Sequence, residues 1–398
     1  MAASYLLAYA VPALPLAFAA LPLYVHLPHF YAAAGLELTV LGWVLLLTRL
    51  ADAAIDPWLG RLADQLPRRQ MILAGLPLFV FGFVGLFHPP SGILLPWLVG
   101  CLSLTYFGYS TVSIAYQAWA SDFSRQTITL TRLSAAREAA GLCGVLLAAT
   151  LPAWAGAPQV LAQWLPPLAL LAGWLVWRSA WPAAGAPAQP MPFAGWGSLL
   201  ALPGLRRLLS VFVLNGLASA LPATLFLFYC NDVLRAGAAS GGLLALYFLA
   251  GAASLPLWTA LAMRWGRPRA WLLAMGLAGL AFAGASQLGA GDLAAFGLIC
   301  LFSGLALGAD LALPAAMASS IGQSSGQSGA VFGLWNLLAK LNLAFAAGLA
   351  LPLLAWFGYV PGGEFVQPLR WAYALLPLVF KALAAVLLWR WRNSLEVS

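Results

Sequence analysis

Apolar residues occur along this chain in long runs that are separated by short polar breaks. A run such as LLAMGLAGLAFAGA, residues 272–285, does not alternate apolar and polar positions, so it predicts a helix and not a strand of a membrane barrel. Runs of about 20 residues can cross a hydrocarbon core of about 30 Å as helices. The pattern predicts twelve such segments: 5–32, 39–62, 71–88, 94–121, 130–155, 160–181, 204–234, 240–263, 270–289, 293–319, 329–357 and 369–392.

Composition places the chain among integral membrane proteins. Of its 398 residues 63% are hydrophobic and only 8% are charged, and the mean hydropathy is +0.90. A soluble domain has roughly half apolar residues, far fewer than this chain. We therefore predict an all-α, multi-pass protein of the cell (inner) membrane, surrounded by the lipid bilayer.

The formal net charge of +8 indicates orientation rather than a nucleic-acid partner, because the basic residues are spread over short loops. With a cytoplasmic N-terminus, the cytoplasmic loops hold thirteen arginines between Arg61 and Arg392, and the outer loops hold only Arg235 and Arg370. The positive-inside rule then predicts that both termini are cytoplasmic.

The twelve segments form two groups of six. A stretch rich in Ala, Pro and Gly, residues 182–203, predicts a linker between an N-terminal half, 1–181, and a C-terminal half, 204–398. PWLGRLADQLPRRQMILAG from Pro57 also lines up with PLWTALAMRWGRPRAWLLAM from Pro256. A duplicated six-helix unit with a cavity at the bilayer midplane is the architecture of many secondary transporters.

The second predicted helix carries charges that its repeat lacks. Arg49, Asp52 and Asp56 are spaced i, i+3, i+7 and so share one helix face. The aligned positions of the other half are apolar: Phe248, Gly251 and Leu255. A charge inside a bilayer costs about 2.5–3.5 kcal/mol even on insertion scales, so this stripe must face a partner or a watery cavity. Two carboxylates one turn apart can bind Na⁺ or share a proton, whereas the alternative is an Arg–Asp pair that only ties helices together.

Further charges lie inside the second half. Lys340 is near the middle of its span, and we expect it to act as a counter-ion for Asp52 or Asp56. For Asp310 we expect a partner within the same half, and the sequence gives no role for Lys381.

Two other charged groups lie nearer the predicted cytoplasmic side. Arg137 sits about one and a half turns inside its helix, where it is either a functional group or an arginine of a frayed helix start. Asp64 lies next to Arg68 and Arg69 in a tight turn, so these three form a cytoplasmic gate or belong to an ordinary surface loop.

These residues resemble a known family. TRLADAAIDPWLGRLADQ, residues 48–65, resembles the second-helix signature of the glycoside–pentoside–hexuronide:cation symporters, the melibiose permease group of the major facilitator superfamily. KLNLAFAAGL followed by GYVPG resembles its eleventh helix and the next loop, and YSTVSIAYQAW resembles its fourth helix. The resemblance implies the major facilitator fold, with two pseudo-symmetric halves of six helices.

The resemblance also implies roles for residues of this chain. Asp52 and Asp56 become cation-site carboxylates, with Na⁺ as one candidate ion, and Ser110 adds a hydroxyl ligand. Lys340 couples the cation and substrate sites, and Arg137 lies near the sugar site. Ser113 replaces an aspartate of the sugar transporters, and we count it with the cation site.

The chain departs from the sugar transporters where they bind sugar hydroxyls. Leu16 and Ala17 stand where they have an acidic residue in the first helix, and Gln117 replaces a sugar-stacking tryptophan. A site without carboxylates pairs polyols poorly, so a simple galactoside is not expected. The residues expected to line the substrate cavity are aromatic or amide: Tyr24, Tyr109, Tyr116, Gln117, Asn215, Tyr229, Trp335 and Asn336.

The sequence thus predicts a cation-coupled secondary transporter of a small organic solute, monomeric and without a cofactor. A transporter of lysolipid-like amphiphiles is the alternative, because lysolipid carriers also resemble this family. A membrane receptor is a remote second alternative. An enzyme is not expected, since no nucleophile–base pair, metal-ligand cluster or phosphate loop is recognisable.

Overall fold

The computed structural model of the chain describes residues 9–122, 127–179, 200–325 and 328–396, and in these ranges it contains helices and no strand. The helices of the first half are α1 Ala13–Tyr24, α2 His26–Ala33, α3 Leu38–Gln65, α4 Arg68–Leu86, α5 Leu94–Asp122, α6 Thr127–Ala155 and α7 Val160–Arg178. Those of the second half are α8 Pro203–Phe228, α9 Ser240–Trp265, α10 Arg267–Ala285, α11 Leu293–Ser324, α12 Ser328–Trp356 and α13 Gln367–Glu396. A π-helical turn, Tyr229–Val233, extends α8.

These helices confirm the predicted all-helical membrane fold, because each predicted segment coincides with one helix or with the pair α1 and α2. Within the described residues, ten helices are each long and apolar enough to cross a membrane, and the bent pair qualifies as one further span. The apolar part of α6, Ala139–Ala155, is shorter.

The first span is broken by proline. α1 and α2 meet at Val25 with a bend of 44°. Pro28 has no N–H for the carbonyl of Tyr24, four residues earlier, and its ring crowds that carbonyl, so a straight helix cannot continue through this point. Tyr24 is the last residue of α1 and His26 is the first residue of α2, so the two lie on either side of the bend.

The chain divides into two compact units. Unit 1 comprises the described residues of 1–36 and 47–191, and unit 2 those of 37–46 and 192–398. The predicted linker, 182–203, lies largely outside the described residues.

The same helix pairings recur within each unit. In unit 1, α1 packs against α6 and α7, and α4 packs against α5 and α7. In unit 2, α8 packs against α12 and α13, and α10 packs against α11 and α13. In both units the first span therefore packs against the fifth and sixth spans, and the third span packs against the fourth and sixth. A duplicated six-helix arrangement requires such equal pairings.

Glycine allows two of the crossings in unit 1. A Cβ atom on Gly108 of α5 would lie 2.3 Å from the backbone nitrogen of Phe79 in α4. A Cβ atom on Gly144 of α6 would lie 2.3 Å from the carbonyl oxygen of Leu14 in α1. Helices inside a bilayer gain little from the hydrophobic effect, so close backbone contact at small residues is what holds them together.

Candidate functional site

Asp52 is a buried carboxylate on a membrane-spanning helix. Asp52 is 4% exposed, and its Oδ1 accepts a hydrogen bond of 2.6 Å from Oγ of Ser110 on α5. Such a short bond to a carboxylate is of the strong, charge-assisted kind. α3 and α5 are thereby joined at the residues that the sequence proposes for cation binding.

Arg49 holds the other side of the same carboxylate. Its Nη1 lies 3.7 Å from Oδ2 of Asp52, and its guanidinium carbon lies 4.0 Å from the centre of the Tyr106 ring. An arginine that faces an aromatic ring gains cation–π stabilisation, which matters more when both groups are buried, as Arg49 and Tyr106 are here. The guanidinium is therefore positioned by two partners, one on its own helix and one on α5.

Two side-chain stripes meet at this crossing. Arg49 and Asp52 are three residues apart on α3, and their partners Tyr106 and Ser110 are four residues apart on α5. Residues at these separations share a helix face. Both stripes run in the same direction, because α3 and α5 are separated by one span and therefore cross the membrane in the same direction. We call Arg49, Asp52, Tyr106 and Ser110 the α3–α5 cluster.

Three predicted residues of unit 1 lie at less buried positions. Asp56, one turn after Asp52, is only partly buried, and so are Ser113 and Arg137. Each makes further polar or electrostatic contacts. Asp56, Ser113 and Arg137 are not among the four residues of the α3–α5 cluster.

Two tyrosines stand close to the α3–α5 cluster. Tyr24, at the end of α1, and Tyr109 on α5 are both partly exposed and both interact electrostatically with Arg49. The ring of Tyr109 also meets Phe79 edge to face, with centroids 5.8 Å apart. Aromatic rings with hydroxyl groups therefore lie beside the charged cluster, where the sequence predicts substrate contacts.

The structure places two of the predicted cavity residues in the interior of their units. Tyr116 is buried and donates a 2.6 Å hydrogen bond to the carbonyl of Tyr9. Tyr229 has no exposed surface, donates to the carbonyl of Ala285, and stacks on Tyr373 at 4.2 Å. Main-chain carbonyls accept from both hydroxyls, so both rings contribute to helix packing, and their role in lining the cavity stays a prediction.

The other predicted substrate residues belong to unit 2, apart from Gln117, whose side chain lies outside the described residues. Asn215 on α8 is 3% exposed and its Oδ1 has no hydrogen-bond partner. Trp335 on α12 stacks on Phe212 with centroids 3.6 Å apart, and Asn336 beside it is exposed. Lys340, one turn further, is partly buried and has contacts of its own.

A second buried ion pair lies in unit 2. Nζ of Lys381 on α13 is 2.8 Å from Oδ2 of Asp310 on α11, and Lys381 is 4% exposed. Nε1 of Trp271 on α10 donates to Oδ1 of Asp310 at 2.8 Å. Ser219 on α8 lies 3.5 Å from both charged groups. The expected partner of Asp310 within its half is confirmed, and we call these four residues the unit 2 cluster.

The comparisons with known proteins decide the family. Residues 8–393 match the family described as MFS/sugar transport protein. The chain belongs to this family. The match covers nearly the whole chain and confirms the major facilitator resemblance that the second and eleventh helices indicate. No curated protein matches the chain in sequence.

Solved structures share the fold of this MFS/sugar transport family member at low sequence identity. A bacterial homologue of the human lysosomal transporter Spinster is 14% identical with a TM-score of 0.76, and the match covers 98% of this chain and 97% of that one. The nucleoside transporter NupG is 11% identical with a TM-score of 0.70 and 99% coverage of both chains. A D-xylose-proton symporter is 13% identical with a TM-score of 0.69 and 97% coverage of both.

Family and neighbours are transporters, so the chain is a multi-pass membrane transporter of the major facilitator fold and not an enzyme. Within the described residues, no group of three or more His, Cys, Asp or Glu side chains lies close enough to hold a metal ion. A sodium site with two carboxylates and hydroxyl groups would fall outside that description.

The predicted gate is described only in part. The side chain of Asp64 lies outside the described residues, and Arg68 is partly buried with contacts of its own. Arg69 donates to the carbonyl of Trp177 at the end of α7, and its guanidinium carbon lies 5.0 Å from the centre of the Trp177 ring. Arg69 is thus held within unit 1 by a tryptophan that the sequence does not connect with it.

The loop after α12, which carries the GYVPG motif, is fixed by one carboxylate. The hydroxyl of Tyr359 and the backbone N–H of Gly362, at 2.9 Å, both donate to Oδ2 of Asp232. Burial, together with this hydrogen bond, raises the pKa of Tyr359, which therefore stays protonated and keeps donating. The motif thus attaches its loop to the end of α8.

Sequence reasoning missed three residues of the two clusters. Tyr106 had a signal, because it lies one turn before Ser110 on the same face of α5. Trp271 and Ser219 had none, since nothing in the sequence relates α10 and α8 to Asp310. Only the packing of the helices brings them together.

Proposed function

We propose that this transporter is cation-coupled, with Asp52 and Asp56 as its cation site and a small organic molecule as its substrate. The observation that carries the proposal is the buried carboxylate of Asp52, held on a spanning helix by Ser110 at 2.6 Å and by Arg49 at 3.7 Å. A bilayer protein keeps such a group against a considerable insertion cost, which favours a functional role.

The two carboxylates have different environments and therefore different roles in the proposal. The hydrogen bond from Ser110 and the contact with Arg49 hold the carboxylate of Asp52 in place. Asp56 is less buried as a residue than Asp52 and lies one turn further along the same face. Asp52 then supplies a fixed negative charge, and Asp56 is the carboxylate at which the cation enters and leaves.

Loading the cation changes the charge balance of the helix. Arg49 compensates one carboxylate, and the cation compensates the other. A neutralised stripe no longer needs access to water, which favours closure around the substrate, and alternation between two six-helix halves is the usual mechanism of such folds. Lys340 is the proposed counter-charge when the cation is absent, and Arg137 is the proposed link to the substrate.

Proton and sodium remain alternatives for the coupling ion. Sodium is a hard cation that needs several oxygen ligands, and Ser110, Ser113 and the two carboxylates can provide them. A proton needs only one carboxylate, and Ser113 in place of an aspartate removes one oxygen ligand from a sodium site. A described neighbour is a proton symporter, which supports the proton slightly more.

For the substrate we propose a nucleoside or a pentose, which presents fewer hydroxyl groups than a disaccharide galactoside and so depends less on the missing carboxylates. Tyr24 and Tyr109 provide rings and hydroxyl groups near Arg49. Leu16 is buried and apolar, so no carboxylate of α1 is available at that position to bind the hydroxyl groups of a galactoside. The names of two neighbours, a nucleoside transporter and a D-xylose symporter, agree with this class.

The same apolar positions, Leu16 and Ala17, favour a second candidate, a lysolipid-like amphiphile. Its chain would gain from apolar walls that a sugar cannot use. For either substrate we propose the cell (inner) membrane, with both termini in the cytoplasm, because the arginine-rich loops then face the cytoplasm.

A stability screen followed by transport tests the proposal. The purified protein is screened for an increase in melting temperature with pentoses, nucleosides, galactosides and lysophospholipids. Solutes that stabilise it are then offered to proteoliposomes under an imposed proton or sodium gradient. We expect a pentose or a nucleoside to accumulate under one of the gradients. A solute that is transported equally well without any gradient would contradict cation coupling, and a hit with only lysophospholipids would establish the amphiphile.

A further inference from the structure

A long apolar groove runs between α4 and α7 in unit 1. Its volume is about 690 Å³. Its lining residues include Leu73, Leu76, Pro77, Val84, Gly173 and Trp177. Other lining residues, including Phe81, Leu170 and Trp174, are exposed on the surface of the unit. The groove is therefore open along its length and consists of hydrocarbon and aromatic side chains.

The small and cyclic residues of both helices form the groove. Pro77 and Pro166 each remove a backbone donor from their helix, and Gly173 has no side chain to fill the space. A Cβ atom on Gly173 would lie 3.3 Å from Cδ1 of Leu76, so even one more carbon atom would narrow the groove floor.

The length of the groove matches one leaflet of a bilayer. Val84 follows Leu73 on α4 by eleven positions, and eleven rises of 1.5 Å give a length of about 16.5 Å. Half of a hydrocarbon core of about 30 Å has nearly the same thickness. A groove of this length accommodates a lipid acyl chain from the headgroup region to the bilayer centre.

Two arginines stand at one end of the groove, each held on a tryptophan that lines it. Arg69 stacks on Trp177 at 5.0 Å, and Arg178 stacks on Trp174 at 4.9 Å. Tryptophan is typical of the membrane–water interface, so this end lies at headgroup level. A guanidinium has five N–H donors, and the bond of Arg69 to the Trp177 carbonyl uses only part of them. The rest can bind a phosphate.

From these observations we infer that the α4–α7 groove is a binding site for an anionic glycerophospholipid. One acyl chain lies in the groove, and the headgroup phosphate is bound by Arg69 and Arg178. Basic residues between membrane helices select anionic headgroups in this way. With the proposed orientation, the lipid belongs to the cytoplasmic leaflet.

Native mass spectrometry of the full-length, detergent-purified protein tests this site with phosphatidylglycerol and phosphatidylcholine as probes. We expect phosphatidylglycerol to bind about 30-fold more tightly, because each of the two arginines contributes about 1 kcal/mol near an anionic headgroup. Arg69→Gln should reduce this preference to about fivefold, because Arg178 remains. Arg392→Gln is the matched control, because Arg392 also stacks on a tryptophan, Trp389, but at the end of α13 in unit 2.

Two groove variants test the acyl-chain part. Leu170→Trp adds bulk on an exposed wall, and Gly173→Leu fills the floor, so both should weaken the binding of both lipids. If Gly173→Leu does not fold, Leu170→Trp still gives the answer. Equal binding of the two lipids to the wild type, an unchanged preference in Arg69→Gln, or normal binding to the folded groove variants would each overturn the inference. Displacement of the lipid by an equal concentration of free glycerol phosphate would also overturn it, because the acyl chain would then contribute little to binding.

Discussion

Among the residues that the structure describes, each unit contains a buried pair of opposite charges, and the two pairs differ in their construction. In unit 1, Arg49 and Asp52 are neighbours on a single helix at 3.7 Å, with Tyr106 and Ser110 from α5 around them. In unit 2, Asp310 and Lys381 come from two helices and lie 2.8 Å apart, with Trp271 donating to the same carboxylate. One pair is loose and local, and the other is tight and joins helices.

The difference agrees with the proposal that the cation site lies in unit 1. A cation site must exchange its partners, so a longer Arg49–Asp52 contact, with a second carboxylate at Asp56 one turn away, suits such a site. A tight pair between α11 and α13 that is also bonded to α10 suits a fixed connection. Buried pairs of this kind give specificity to the arrangement of helices more than net stability.

The repeat shows where the two units have diverged. The helices α9 and α11 of unit 2 correspond to α3 and α5, but Gly251 stands at the position of Asp52. A Cβ atom on Gly251 would lie 3.0 Å from Cδ2 of Leu307 and 3.3 Å from the Gly304 carbonyl oxygen. The crossing that holds charges in unit 1 is therefore closed by small and apolar residues in unit 2.

The largest expected effect distinguishes the two aspartate sites. Asp52→Asn and Asp56→Asn should each abolish cation-driven accumulation in proteoliposomes, because a neutral side chain cannot load the ion. Downhill exchange of the substrate can persist. Asp310→Asn combined with Lys381→Met is the control, and it should retain accumulation per folded molecule. Loss of accumulation in this control, with normal accumulation in Asp56→Asn, would reverse the assignment.

A second prediction concerns stability rather than transport. Lys381→Met alone should lower the free energy of unfolding by about 3–5 kcal/mol, since it leaves the charge of Asp310 buried without its cation. Adding Asp310→Asn should restore most of this loss. Arg49→Met should cost less, because the Arg49–Asp52 contact of 3.7 Å is weaker than the Lys381–Asp310 contact of 2.8 Å. Thermal unfolding of the purified variants measures the differences, and equal losses for Lys381→Met and Arg49→Met would contradict the comparison.

The smallest expected effects come from the two serines. Ser110→Ala removes a 2.6 Å bond to a carboxylate and should weaken the apparent cation affinity about tenfold. Ser219 contacts its cluster only at 3.5 Å, the limit of hydrogen-bond geometry, so Ser219→Ala should change stability by less than about 0.5 kcal/mol. Cation titrations and melting curves of both variants check this. A larger loss of stability in Ser219→Ala than in Ser110→Ala would contradict the ranking of the two serines by hydrogen-bond distance.

Much of the fold follows from the sequence because a bilayer imposes strict rules. Only helices and closed barrels satisfy their backbone in lipid, and the apolar runs do not alternate as barrel strands do, so they predict the helices. Pro28 explains the break in the first span. The stripe of Arg49, Asp52 and Asp56 is equally visible, since charges are rare in these segments. Its contact with Ser110 follows from the family resemblance rather than from the spacing.

Contacts between helices distant in sequence are what the sequence cannot give. The bond of Trp271 to Asp310 depends on the rotation of α10, which its uniformly apolar surface does not reveal. For the same reason the sequence does not show that main-chain carbonyls accept hydrogen bonds from Tyr116 and Tyr229 inside the units. In a chain this apolar, the pattern shows which residues are in the membrane but not which side of a helix faces the interior.

Cation-dependent thermal stability tests the central claim most directly, because it needs no knowledge of the substrate. The wild type, Asp52→Asn, Asp56→Asn and the Asp310→Asn/Lys381→Met control are titrated with Na⁺, Li⁺ and K⁺ at constant ionic strength, and then with pH. The account predicts either a sodium-selective increase in melting temperature or a pH transition, which the unit 1 variants lose and the control keeps. If neither response occurs, or if it persists in both unit 1 variants, the Arg49–Asp52 pair is a structural connection and the proposed cation site is wrong.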